Sequence, residues 1–136
     1  MKKIALIIIT GALLALWACN KDTESEKFQL LTAHIWTSDS LLVEGVDASG
    51  PGQILEKFKG DARFYEDYTG YFGKYTGTWK FAYNETNLVI DSDSLQVAIT
   101  ANIILLNDVS LKITTAYPNA LNPSNPLDIR MTFKAK

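Results

Sequence analysis

One cysteine, Cys19, is the residue of this chain whose position points most directly to chemistry. It follows Leu16, Trp17 and Ala18 at the end of an apolar run that begins behind two lysines. A basic start, an apolar stretch and a small residue before the cut make up a secretory signal peptide, which is removed from the mature protein. The run is shorter than the roughly twenty apolar residues of a transmembrane helix. We therefore predict a cleaved leader over residues 1–18.

The segment that ends in Cys19 resembles the lipobox of bacterial lipoproteins. This resemblance implies that the thiol is acylated after cleavage and that Cys19 anchors the chain in a membrane. Each buried methylene contributes roughly 0.8 kcal/mol, and stable anchoring needs more than one chain, so a diacylglycerol plus an N-acyl group would hold the protein firmly. Asn20, rather than aspartate, follows the cysteine. That residue disfavours the retention signal for the inner membrane, so we expect the outer membrane of a Gram-negative bacterium.

Residues 19–29 follow the leader as an acidic, polar segment, whose composition is typical of a tether. Its acidic residues also resemble a signal that places some lipoproteins on the cell surface. Residues 30–136 fit one domain. The formal net charge is −2, and the sequence has no basic stripe that could neutralise phosphates. Both observations argue against nucleic acid as a partner. With its one cysteine used as an anchor, the domain must be stabilised by hydrophobic burial.

The other residues that could do chemistry do not form a known catalytic or metal-binding pattern. His34 is the only histidine, which excludes a zinc site built on several histidines and leaves a serine nucleophile with one candidate base. Asp91 and Asp93 lack the distant glutamate of a calcium loop. Glu66 and Asp67 are adjacent and would point apart on a strand, unlike a glycosidase pair. We predict a protein that is not an enzyme and uses no metal or cofactor.

Short runs of β-branched and aromatic residues alternate with turn residues at a spacing typical of an all-β sandwich or barrel. The clearest two-residue alternation predicts strands over 75–83, 95–100, 110–114 and 129–134. Weaker strands are predicted over 36–43, 54–58, 62–66, 88–91 and 103–106. A short helix over 24–32, capped by Thr23 or Ser25, precedes them. Residues 45–52 and 117–127 are predicted to form long loops at the rim.

Several short motifs in order resemble the small lipocalin-like domains of bacterial lipoproteins. They are Leu30-Leu31 with Trp36, Phe58-Lys59-Gly60-Asp61 with Phe64, Tyr75-Thr76-Gly77-Thr78-Trp79, Leu88-Val89-Ile90-Asp91 and Met131-Thr132-Phe133-Lys134. The resemblance implies an antiparallel up-and-down barrel of about eight strands, whose interior is filled by side chains or holds one small ligand. Binding of a small apolar or amphipathic molecule is the function it suggests. The residues expected to face the lumen are Trp36, Phe58, Phe64, Trp79, Phe81, Met131 and Phe133.

Residues 64–75 carry six aromatic rings interrupted by Gly70 and Gly73, so they cannot form one regular strand that buries every ring. One interpretation is a hairpin whose rings cover the end of the barrel. The other is an exposed contact surface for sugar faces, lipid or protein. An alternative function follows from the second interpretation: an accessory subunit with a filled barrel binds a polysaccharide or a partner protein through this segment and the long loops. Its predicted contact residues are Tyr65, Tyr68, Tyr71 and Phe72.

Overall fold

The computed structural model describes residues 24–136, so the predicted leader and Cys19 lie outside the described residues. A helix, α1 (Glu26–Ala33), precedes nine strands and a short 3-10 helix (Glu56–Phe58). The strands are β1 (Ile35–Val43), β2 (Val46–Asp47), β3 (Asp61–Phe64), β4 (Thr69–Phe72), β5 (Tyr75–Ala82), β6 (Asn87–Asp91), β7 (Ile99–Leu106), β8 (Ser110–Tyr117) and β9 (Leu127–Ala135). Within residues 24–136, no helix has the length and apolar character needed to cross a membrane.

The strands form a closed antiparallel barrel. Strands β3 to β9 pair in chain order, β3 pairs with β1, and β1 also pairs with β9 from Trp36↔Ala135 to Val43↔Ile129. The short strand β2 pairs with β1 alone and stands outside the ring, which leaves eight strands in the wall. The prediction of an all-β, up-and-down barrel of about eight strands with a short N-terminal helix is confirmed.

Helix α1 closes one end of the barrel. Its N-cap is Ser25, which is one of the two residues predicted for that position. The Ser25 hydroxyl accepts a hydrogen bond from the amide of Phe28. A helix of 8 residues is marginal by itself, so packing against the barrel must stabilise it. Leu31 is fully buried and Phe28 nearly so. Trp36 then donates its indole N–H to the carbonyl of Leu31 at 3.0 Å, which ties the helix to the first strand.

Three turns meet α1 at this end, because strands that alternate in direction bring every second turn to the same side. In the β3–β4 turn, the ring of Tyr68 lies 5.7 Å from that of Phe28. In the β5–β6 turn, Glu85 accepts hydrogen bonds from the Ser25 hydroxyl and, through its carbonyl, from Lys27. The β7–β8 turn lies beside the end of the helix, where His34 Nε2 is 3.9 Å from Asp108 Oδ1. We call this the helix end of the barrel.

The opposite end is covered in part by residues 48–58, which follow β2. Ala48, Leu55 and Phe58 are buried there, and the amide of Leu55 donates to the carbonyl of Ala48. The segment packs against the β4–β5 turn, where Lys74 donates its amide to the carbonyl of Lys57 at 2.7 Å. Each end of the barrel therefore receives apolar side chains from a segment outside the wall.

Two predicted strands are wrong. Residues 54–58 form a turn and the 3-10 helix, because their apolar side chains cover the end of the barrel instead of alternating across a sheet. Of the predicted strand over 95–100, only Ile99 and Thr100 belong to β7, which continues to Leu106 and includes the strand predicted over 103–106. Val97 is 70% exposed in the preceding loop, so its alternation with Leu95 reflects no sheet face. Strands β2 and β4 were not predicted.

Candidate binding surface

The residues predicted to face the lumen lie together in the core. Six of the seven are buried, namely Trp36, Phe58, Phe64, Trp79, Met131 and Phe133. Phe81 is partly buried and packs against this core. A side chain that faced an open, water-sized lumen would keep accessible area, yet Trp36 is 0% exposed and Trp79 is 2% exposed. These side chains are in contact with other protein atoms and fill the space between the walls.

Trp79 is the centre of the aromatic packing at the helix end. Its ring centroid lies 5.0 to 5.7 Å from those of four other aromatic residues, Phe28, Phe64, Tyr68 and Phe81. Two of these contacts are edge-to-face, a geometry that aromatic pairs favour. The indole N–H donates to the carbonyl of Tyr65 at 3.0 Å, so its polar atom is also satisfied. The indole therefore acts as core, with each of its surfaces already in contact.

The outer face of the β3–β4 hairpin carries the aromatic residues that the core leaves exposed. In the β3–β4 register, Arg63 lies opposite Tyr71, while the neighbouring Ala62 and Phe64 point into the core. Tyr65, two residues beyond Arg63, shares its face. The rings of Tyr65 and Tyr71 are 6.3 Å apart, and the Arg63 guanidinium lies 5.8 Å from the Tyr65 ring centroid. We call Arg63, Tyr65 and Tyr71 the tyrosine face.

A surface cavity of about 580 Å³ lies beside the tyrosine face. The lining residues are Thr32, Arg63, Tyr65, Glu66, Asp67 and Thr69. They combine one aromatic ring with hydroxyl, carboxylate and guanidinium groups. Sugars bind to such surfaces because their C–H faces stack on a ring while their hydroxyls bond to polar groups at its edge. A second cavity of about 520 Å³ spans β6 to β9 and is lined by polar and aliphatic residues without an aromatic ring.

The turn beside this cavity is held by its own hydrogen bonds. Asp67 Oδ1 accepts from the amide of Thr69 at 3.0 Å and from its hydroxyl at 2.6 Å. These two bonds hold the pKa of the Asp67 carboxyl below its usual value, so the group is an anion at neutral pH. The carboxylate therefore fixes the turn and adds negative charge to the wall of the cavity.

An ion pair joins β3 to Lys136. Lys136 Nζ lies 2.8 Å from Asp61 Oδ2, and the bond lowers the pKa of Asp61 and raises that of Lys136. The Lys136 side chain is 61% exposed, so the pair contributes little to the free energy of unfolding.

The four predicted surface residues do not all lie on the surface. Phe72 is 2% exposed and packs against Phe64, so its prediction as a contact residue is wrong. It points inward because it lies opposite Ala62, another core residue. Tyr65 and Tyr68 are 45% and 49% exposed, and Tyr71 is partly exposed. The ring of Tyr68 covers Trp79 on one side, as expected for a hairpin that covers the end of the barrel, and meets solvent on the other.

Sequence reasoning missed Arg63, a member of the tyrosine face, and Tyr83, an exposed residue of the helix end. Arg63 was not singled out, although its place one residue before Phe64 puts it on the outer face of a predicted strand. Tyr83 is 75% exposed at the helix end, in the β5–β6 turn, whereas the strand predicted over 75–83 placed it with Trp79. Tyr83, Asn84 and Glu85 all have positive φ values, so the strand ends at Ala82 and the ring leaves the core face.

No group of histidine, cysteine, aspartate and glutamate side chains suited to hold a metal ion occurs within residues 24–136. Compared with known proteins, the chain matches no family model and has no significant match among curated sequences. The geometry of the barrel and of its outer surface therefore carries the argument on function.

Proposed function

We propose that this protein is an outer-membrane lipoprotein, anchored through Cys19, whose barrel is a filled scaffold for a binding surface. The tyrosine face and its cavity bind a polysaccharide, with Tyr65 stacking on a sugar ring. In this proposal the protein carries out no reaction and uses no cofactor. The resemblance to lipocalin-like domains remains a prediction from sequence motifs and supplies the expectation of a binding role.

The observation that carries the proposal is the exposed Tyr65 ring beside a cavity lined by hydrogen-bonding side chains. The Arg63 guanidinium lies over the ring, 5.8 Å from its centroid, and Tyr71 meets the ring edge to face, so two neighbours restrict its motion before a ligand arrives. A ligand that meets a rigid ring loses less conformational entropy on binding. The packing of Trp36, Trp79 and Phe64 favours this outer site over a small apolar ligand in the lumen.

The anchor is tested by mass spectrometry of the mature protein purified from its own cells. We expect an N-terminal Cys19 that carries acyl mass, and we expect Cys19→Ala to lose that mass and leave the membrane fraction. A mature wild-type chain without acyl mass would contradict the anchoring part of the proposal.

The binding surface is tested by affinity electrophoresis of the detergent-solubilised protein in gels containing neutral polysaccharides. We expect Tyr65→Ala to weaken binding about tenfold, which corresponds to roughly 1.4 kcal/mol. Tyr117→Ala is the matched control, because Tyr117 is 44% exposed but lies at the other end of the barrel. Equal losses in the two variants, or retardation of neither the wild type nor the variants, would refute the proposed site.

A further inference from the structure

The helix end of the barrel carries exposed apolar side chains on each of its three turns. Tyr65 and Tyr68 lie at the β3–β4 turn, Tyr83 in the β5–β6 turn and Val109 in the β7–β8 turn, where it is 65% exposed. All three turns contact α1 or the residue that follows it. We call these four residues the proximal rim. Tyrosine is enriched where an apolar surface meets a polar one, as at a membrane interface.

The chain enters the barrel at this end. Ser25 caps α1 and bonds to Glu85, so the position of the chain is fixed from Ser25 onward. From Cys19 to Ser25 the chain can span at most about 22 Å, whatever its conformation, because each of the six steps adds no more than about 3.6 Å. If Cys19 is acylated, the helix end therefore cannot lie farther than that from the lipid surface.

The barrel is too tall to turn over within that reach. Strand β9 has 9 residues and so a length of about 30 Å at about 3.4 Å per residue. With a strand tilt of about 40°, the wall stands about 23 Å high. The β8–β9 loop, where Leu121 is 98% exposed, extends beyond it. An orientation with that loop on the membrane would place Ser25 above the reach of its anchor.

The charges of the helix end distinguish between two kinds of membrane surface. Glu66, Asp67, Glu85 and Asp108 lie in the three turns that carry the proximal rim, and Arg63 is the basic side chain beside Tyr65. Lys27 donates to the carbonyl of Glu85 at 2.9 Å and is held at the helix. Carboxylates at this end would be repelled by anionic phosphate headgroups, since like charges in proximity are unfavourable. Uncharged sugar headgroups offer hydroxyls to the carboxylates and C–H faces to the tyrosines without that repulsion.

We infer that the helix end faces the anchoring membrane, and that the proximal rim contacts the sugar headgroups of glycolipids there. This inference rests on the proposed anchor at Cys19 and specifies the source of the carbohydrate that the tyrosine face meets. The ligand is then a sugar displayed by the same membrane. The loops at the opposite end of the barrel, including the β8–β9 loop, face away from the lipid.

The orientation is tested with one fluorescent label on the full, acylated protein in vesicles. Acylation consumes the thiol of Cys19, so a cysteine introduced by Tyr83→Cys or Leu121→Cys is the single reactive thiol. With a quencher on the lipid headgroup, we expect strong quenching of the label at position 83 and at least fivefold weaker quenching at 121. Equal quenching, or stronger quenching at 121, would overturn the inference.

The headgroup chemistry is tested with a label on Asn84→Cys, an exposed position of the same turn that leaves the proximal rim intact. Three kinds of vesicle are compared: phosphatidylcholine alone, with digalactosyl diacylglycerol, and with phosphatidylglycerol. We expect a shift of the label emission to shorter wavelength with the glycolipid only, and its reversal by free galactose oligosaccharide. A shift with phosphatidylglycerol instead, or no shift with the glycolipid, would refute sugar recognition. Mass spectrometry of each labelled sample separates these results from a failure of the anchor, which would show as a chain without acyl mass.

Discussion

Replacement of Trp79 by alanine tests whether the barrel interior is a packed core. Truncation of a buried tryptophan costs about 3–5 kcal/mol. The substitution also removes contacts with four aromatic rings. Each such pair contributes about 0.5–1.5 kcal/mol in addition to the burial of its area. The carbonyl of Tyr65 loses its indole donor, at a cost of about 1 kcal/mol. Because these contributions overlap, we expect Trp79→Ala to lower the unfolding free energy by about 5 kcal/mol.

A loss of that size approaches the whole stability of a small domain, about 5–15 kcal/mol, so Trp79→Ala alone could fail to fold. Trp79→Phe is therefore the companion variant. It keeps an aromatic ring in the cluster and removes the indole donor and part of the volume. We expect it to lower the unfolding free energy by about 1–2 kcal/mol, most of which reflects the lost hydrogen bond and a small cavity.

Urea denaturation followed by far-UV circular dichroism measures both variants, because fluorescence would change with the removal of the fluorophore itself. The dependence of the unfolding free energy on urea concentration should stay constant if the variants keep the same fold. Tyr117→Ala serves as the exposed control, with an expected change within about 0.5 kcal/mol. A loss below about 1 kcal/mol for Trp79→Ala would refute the packed core and would favour an open lumen with room for a small ligand.

Two further predictions concern the backbone and the charges. Gly73 has a φ of +62°, and a Cβ built there would lie 2.2 Å from the Lys57 carbonyl oxygen. Gly73→Ala should therefore lower the unfolding free energy by about 1–3 kcal/mol, measured as a lower urea midpoint. An unchanged midpoint would contradict the close approach. Asp61 has a lowered pKa and Lys136 a raised one. The stabilisation from Asp61 is present above the carboxyl pKa of the unfolded chain and is lost as pH falls through the pKa of Asp61 in the folded protein. The stabilisation from Lys136 is lost as pH rises through the raised pKa of its ammonium group. The stability difference between wild type and Asp61→Asn should therefore be largest near neutral pH and vanish in acid, and a difference that grows on acidification would refute the assignment.

The elements that could be predicted from the sequence are those whose local pattern and tertiary role agree. Strands β5, β8 and β9 follow a clear alternation, and Ser25 offers a hydroxyl where α1 needs a cap. Burial of Trp79 follows from the alternation of β5. Where the two levels agree, the inward face of a strand can be assigned without knowledge of its neighbours.

The elements that could not be predicted depend on neighbouring strands. Strand β4 contains Gly70, whose ideal Cβ would lie 2.3 Å from the Arg63 carbonyl oxygen, so a weak strand former is required there by the close approach of β3. Residues 54–58 fold as a turn because Leu55 and Phe58 complete the core at an end of the barrel. The exposure of Tyr65 and the burial of Phe72 depend on the β3–β4 register, which is set by the turn between these strands.

Tyr68 connects the packed core to the proposed contact surface. Its φ of +68° is unfavourable for a residue with a bulky side chain, and such a conformation persists only where surrounding contacts stabilise it. Two hydrogen bonds do so here: the Tyr68 amide donates to the carbonyl of Tyr65, and the Trp79 amide donates to the carbonyl of Tyr68. The ring then rests on Phe28 and Trp79 with its other side in solvent. The same indole that fills the barrel thus holds the turn that presents the tyrosines, which explains how a filled barrel can support recognition at its rim.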